Sequence, residues 1–155
     1  MVTNGAQTTV AFCGHCGARP RARPGLAAPS RVCSACELGL ILRAAPAAAP
    51  AAREAFLVIG AGREIGAVSD RAERLLGVGE AEAVNRDLAE FLAPDAERPA
   101  DWARLVEAIP RLATGAAPLP ALLVRCTHAP GRPLRARLGA CGPPPAALLV
   151  LDDRD

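Results

Sequence analysis

Four cysteines near the start of the chain constrain it more than any other feature. Cys13-x-x-Cys16 and Cys33-x-x-Cys36 are separated by sixteen residues. Two thiolates three positions apart can both reach one ion from a tight turn, and two such turns complete a tetrahedron. The spacing predicts a four-cysteine site for Zn²⁺. Gly14 and Gly17 stand where the backbone must turn so that its amides point back at sulfur. Four protein ligands leave no open position, so the metal would be structural. It would also supply folding energy, because residues 13–39 are rich in Gly, Pro and Arg and carry too few large apolar side chains to fold by burial alone. Other readings of the same thiols are a disulfide pair or thiol redox chemistry at the two CxxC pairs. His15, inside the first knuckle, is the one candidate to replace a cysteine as ligand.

The segment resembles a zinc ribbon over about 25 residues. Such ribbons serve nucleic-acid and protein binding alike, so the resemblance implies the metal better than the function. Arg19, Arg21 and Arg23 lie between the knuckles, with Arg31 close by. They are candidates for contact with phosphate or with an acidic protein face. The alternative is a solvated loop in an Arg-rich protein. No aromatic residue interleaves with them, which leaves stacking on single strands without support.

The remainder of the 155 residues is enough for one ordinary domain beside this small module. Residues 1–53 carry six Arg against Glu37 alone, and residues 54–155 carry twelve Arg against fifteen acids. This splits the net +2 into +5 and −3 and suggests two units with different partners. The expected division is a flexible N-terminus at 1–10, the zinc module at 11–42, an Ala/Pro linker at 43–53 and a second domain at 54–153. Pro46 and Pro50 break any helix in the linker and favour an extended spacer of roughly 30 Å. The Arg-only, Ala-rich composition is that expected of a high-GC bacterium. Met1 to Thr9 does not read as a signal peptide, and no apolar run is long enough to span a bilayer. A reducing cytoplasm is therefore expected, with the thiols free of disulfides.

From Ala55 the pattern becomes globular. Phe56 to Ile59 is a continuous apolar run, read as a central strand, and Glu64 to Val68 is a second strand after the turn at 60–63. Ser69 and Asp70 offer helix caps, with Asp70-x-x-Glu73 as a capping box, and Gly77 sits at a left-handed C-terminal position. Residues 80–92 read as short helical turns with Val84, Leu88, Phe91 and Leu92 inward, stopped by Pro94. Trp102, Leu105, Val106 and Ile109 form a helical stripe that Pro110 should end or kink. Leu119 to Cys126, Leu134 to Ala140 and Ala147 to Leu151 read as three more strands. Arg135 and Arg137 are expected to face water. The order implies an antiparallel sheet with helices on one face, hence an α+β fold.

Ser69, Ala72, Leu75, Leu76 and Gly77 fill the positions of a short-helix motif found near the start of PAS domains, and the two strands before them fit that opening. Residues 80–92 resemble the family's middle helices, although Asn85-Arg86 stands near the place of its usual Gly. The Trp102 stripe resembles the long connecting helix. The resemblance covers residues 54–153. It implies a five-stranded antiparallel sheet with a helical flank, enclosing either an unidentified small ligand or a packed interior. PAS domains sense ligands, redox state or light, or mediate dimerisation. The cysteine used by light-sensing members and the histidine used by haem-binding members have no counterpart here. His128 reads as a surface turn residue and Trp102 as core. Cys126 and Cys141 read as buried free thiols, with a redox pair as the alternative if their strands bring them together.

No Ser, His and acid constellation is present, and the lack of Lys excludes Schiff-base and Walker-type chemistry. The expectation is a non-enzymatic, cytoplasmic signalling or adaptor protein that engages a protein partner or a second copy of itself and no membrane. The alternatives are a nucleic-acid-binding regulator and a thiol redox protein.

Overall fold

The computed structural model describes residues 8–20, 31–128 and 133–153. The strands are β1 (Val10–Cys13), β2 (Ile41–Ala44), β3 (Ala55–Ile59), β4 (Ile65–Val68), β5 (Leu92–Pro94), β6 (Leu119–Cys126), β7 (Leu134–Gly142) and β8 (Ala146–Asp152). The helices are α1 (Asp70–Leu76), α2 (Glu80–Ala83) and α3 (Pro99–Ala113), with a 3₁₀ turn at Leu88–Glu90. All eight strands join one antiparallel sheet.

The five expected strands are β3, β4, β6, β7 and β8, so the sheet is larger than expected by β1, β2 and β5. β5 begins at Leu92, the last residue of the stretch read as helical turns. It pairs at the sheet margin with Val124 to Cys126, where Pro94 costs no central hydrogen bond. β7 is the branch point. One edge pairs with β8 from Arg135 to Cys141, while the other edge is shared between β6 and the two residues Arg43 and Ala44 of β2.

β3 and β8 explain the continuous apolar runs, since they are buried on both faces. On the inner face Ala55, Leu57, Ile59, Ala147, Leu149 and Leu151 meet Leu76, Leu88, Phe91, Leu105, Ile109 and Leu112. On the outer face Phe56, Val58, Ala146, Leu148 and Val150 meet Phe12, Leu42, Ala44, Ala48 and Ala49. The expected one-faced core is therefore two cores with a sheet between them. Fully burying a Val, Leu, Ile or Phe side chain stabilises a fold by about 1.5–3 kcal/mol.

The Ala/Pro segment is not an extended tether. Ala45 accepts hydrogen bonds from Ala48 and Ala49, and both of these alanines are buried. Small side chains make this packing possible: a Cβ at Gly139 would lie 2.4 Å from the Ala48 Cβ. Arg135 is exposed as expected, whereas Arg137 is half-buried. Its guanidinium donates to the Ala49 carbonyl at 3.2 Å and to the Glu54 carboxylate at 3.0 and 3.3 Å.

Three local expectations also change. Ser69, not Asp70, caps α1, accepting from Ala72 N at 3.1 Å, and Glu73 reaches forward to Glu80 N at 3.0 Å. Gly77 takes the expected left-handed conformation. Ala83 is buried where Val84 was expected, and Val84 is half-buried. α3 continues through Pro110 because Leu112 and Ala113 beyond it are buried, and that burial offsets the lost backbone bond. Among the described residues no helix is long and apolar enough to cross a membrane.

Candidate metal centre

Cys13 ends β1, and the chain then turns through Gly14 and His15 to Cys16. The second knuckle, Cys33 to Cys36, precedes β2. The two have the same geometry. Cys13 O accepts from Gly17 N at 3.0 Å, and Cys33 O accepts from Glu37 N at 2.9 Å. The residue after each second cysteine has positive φ, 75° at Gly17 and 60° at Glu37. Glycine adopts this region freely, whereas a glutamate there is strained. Amides turn back onto sulfur in both knuckles: His15 and Cys16 donate to Cys13 Sγ, Ala35 to Cys33 Sγ and Gly39 to Cys36 Sγ, at 3.3–3.5 Å.

The four sulfurs lie within 4.8 Å of one another. Cys13 and Cys36 are 3.6 Å apart, and Cys16 and Cys33 are 3.8 Å apart. A tetrahedron with Zn–S bonds of about 2.3 Å has edges of about 3.8 Å. The donor set can hold one metal ion and is compatible with zinc. Gly39 is part of the cradle: a Cβ there would stand 2.3 Å from Cys13 Sγ and 2.8 Å from His15 Cβ. The Gly17 signal was legible in sequence, whereas Gly14 has no left-handed conformation and the need for Gly39 arises only when the knuckles meet.

The charge balance among the four thiols is uneven. Burial pushes Cys13 up to about 12, and burial also raises Cys16. Burial opposes ionisation of Cys36 too, but the amides of Gly39 and Leu38 and the thiols of Cys13 and Cys16 outweigh it, lowering that group to about 6. Sulfur-directed amides of this kind favour thiolate, the form that binds metal.

The centre meets the rest of the fold near the start of α1. His15 O accepts from Asp70 N, the first residue of α1, at 2.8 Å. Ser69 Oγ accepts from both Phe56 N and Ala72 N. The Phe56 ring packs edge-on to Phe12 at 5.5 Å.

The other candidates separate. His15 is not among the four grouped ligands. Arg19 donates to Pro50 O at 3.1 Å and so ties the first knuckle to the Ala/Pro segment. Arg31 is exposed, and Arg21 and Arg23 lie outside the described residues. His128 is exposed and sits edge-on to Phe91. Trp102 packs against the inner core. Cys126 and Cys141 are buried and unbridged, on opposite cores, so they do not approach as a pair. Burial pushes Cys141 up to about 12.

Two buried acids escaped the sequence reading. Asp95 accepts from Arg125 Nε at 2.8 Å, and Asp101 accepts from Leu123 N at 2.9 Å, fastening the start of α3 to β6. A half-open groove of about 490 Å³ lies at the surface between Arg53, Arg71, Arg74, Leu75 and Asp152. Its walls are α1 on one side and the inner-core residues Ala55 and Leu151 of β3 and β8 on the other, so it opens at the edge of the sheet–helix interface.

No protein-family model and no curated protein matches the chain. Among solved structures it is similar to the PAS domain of the histidine kinase ThkA, with 15% identity over 64% of this chain and 99% of that one and a TM-score of 0.43. It is also similar to a chain in the E. coli DhaR(N)–DhaL complex, with 12% identity, 66% of this chain covered and a TM-score of 0.43. The chain spans 32% of the length of that second protein.

Proposed function

We propose that this chain is a non-catalytic signalling or adaptor module. A PAS-like domain carries a structural zinc hairpin on its second sheet face and acts by binding a protein partner or a second copy of itself. The observation that carries this reading is a packed interior beside a closed four-sulfur site. Four sulfurs that can close on one ion leave no open coordination position, and the large inner-core side chains are fully buried, which supports a module that works by binding rather than by turnover. Buried ionisable groups are engaged structurally, as Asp95 and Asp101 are. A thiolate tetrad persists in a reducing compartment, which fits the cytoplasm.

Metal analysis of protein purified under reducing conditions tests the reading, together with a thermal-shift screen of small ligands. One zinc per chain, lost when any of Cys13, Cys16, Cys33 or Cys36 becomes Ser, is the expected result, with no ligand raising Tm. Absence of zinc refutes the metal centre, and a small molecule that stabilises the inner core refutes the non-sensing reading.

A further inference from the structure

The two cores depend on the chain in different ways. Every residue of the inner core lies between Ala55 and Leu151, so that core is complete without the N-terminal hairpin. The outer core is shared, with Phe12, Leu42, Ala44, Ala48 and Ala49 covering Phe56, Val58, Ala146, Leu148 and Val150. The cover's strand pairing to the sheet is short, and single hydrogen bonds such as Asp70 N to His15 O and Arg19 to Pro50 O supplement it. β2 meets β7 at two residue pairs, Arg43 with Gly142 and Ala44 with Cys141. The hairpin itself has four pairs, and an isolated two-stranded hairpin is marginal in water. The tetrad closes it, joining Cys13 at the end of β1 to Cys36 shortly before β2.

We propose that metal in the tetrad latches the hairpin over the outer face, and that without metal the hairpin lifts and the bared face pairs with a second copy of the chain. This inference rests on the zinc reading above. The occupant follows from the face. A two-fold interface sets one patch against itself, so the patch must be self-complementary. Phe56, Val58, Leu148 and Val150 form an uncharged centre. Glu54 and Arg137 stand at its rim as opposite charges, joined at 3.0 Å within one chain. Across a two-fold axis, Glu54 of each copy can meet Arg137 of the other. An apolar face of this kind associates when left open.

The test uses the whole chain in reductant, first loaded with zinc and then stripped with a chelator. Sedimentation velocity over a concentration series reads self-association, hydrogen exchange reads β1 and β2, and Trp102 fluorescence reads the inner core. The loaded protein is expected to be monomeric. On stripping, exchange in β1 and β2 rises on the order of tenfold or more. β3, β8 and α3 stay protected, Trp102 is unchanged, the protein dimerises, and added zinc restores the monomer. Val58→Glu keeps the stripped chain monomeric, and Val58→Ser is the milder variant if the charge unfolds it. A stripped wild type that stays monomeric with β1 and β2 protected overturns the latch, as does loss of inner-core protection on stripping. One bound zinc with no change on removal overturns the latch alone, whereas failure to bind zinc at all overturns the metal reading with it.

Discussion

On the inner face of the sheet, Leu57, Ile59 and Leu149 meet helices drawn from the same unbroken stretch of chain. On the outer face, Phe56, Val58 and Leu148 meet a hairpin and an alanine turn that come before the first of those strands. Both faces are buried, but they are held differently. The inner core rests on large side chains, Phe91, Leu105 and Ile109 among them. The outer cover is rich in alanine and is held by two aromatic rings, an Arg137 clasp and four sulfurs. A thin, alanine-rich layer can thus cover an apolar face where four sulfurs able to close on one ion stand in for large side chains.

The strongest way to break the comparison is to remove the metal ligands. Cys33→Ser with Cys36→Ser is expected to abolish zinc uptake, forfeiting binding worth on the order of 10 kcal/mol in small zinc domains. Metal analysis and hydrogen exchange should show the loss in β1 and β2, with α3 retained. The converse substitution is Leu105→Ala, which opens the inner core and should cost about 2–5 kcal/mol in denaturant unfolding while leaving zinc stoichiometry at one.

Gly39→Ala acts through the cradle without touching a ligand. Its Cβ displaces Cys13 Sγ or the His15 backbone, and competitive chelation should show zinc affinity lower on the order of 10–100-fold. Ser69→Ala lies where the two halves meet. It leaves the amides of Phe56 and Ala72 without their shared acceptor and should lower stability by about 1–2 kcal/mol.

The smallest effect is expected from acid. Burial opposes ionisation of Glu54, but the Arg137 hydrogen bonds and the Ala51 amide outweigh it and hold its carboxyl below the ordinary 4.5. A group lowered on folding contributes stability above its unfolded value and loses it as pH falls through the folded one. Exchange in residues 45–54 should therefore rise only below about pH 4.5, and Glu54→Gln should remove that dependence, at a cost of about 1 kcal/mol or less at neutral pH.

Much of the local structure was legible. The CxxC spacing, the strands at β3, β4, β6, β7 and β8 and the left-handed Gly77 follow from patterns confined to a few neighbouring residues. Misses came where a distant partner overrode the local signal. Pro46 and Pro50 read as a tether, but Gly139 and Arg137, about ninety residues later, receive that segment. Pro110 read as an end or a kink, and the helix runs on through it to Ala113 with Leu112 buried. Residues 80–92 read as helical turns, but the last of them, Leu92, opens a strand on the edge of β6.

One clue carried further than a central strand. Phe56 to Ile59 and Ala146 to Leu151 do not alternate, and an antiparallel strand apolar at every position is buried on both faces. The sequence alone determined that four sulfurs can close on one ion and that two strands must be hidden on both sides. Only the tertiary structure decided what hides them, brought Gly39 against Cys13 and set Cys126 and Cys141 on opposite cores. Spacing along the chain controls which groups can share a turn, whereas burial joins residues of any separation and depends on the whole fold.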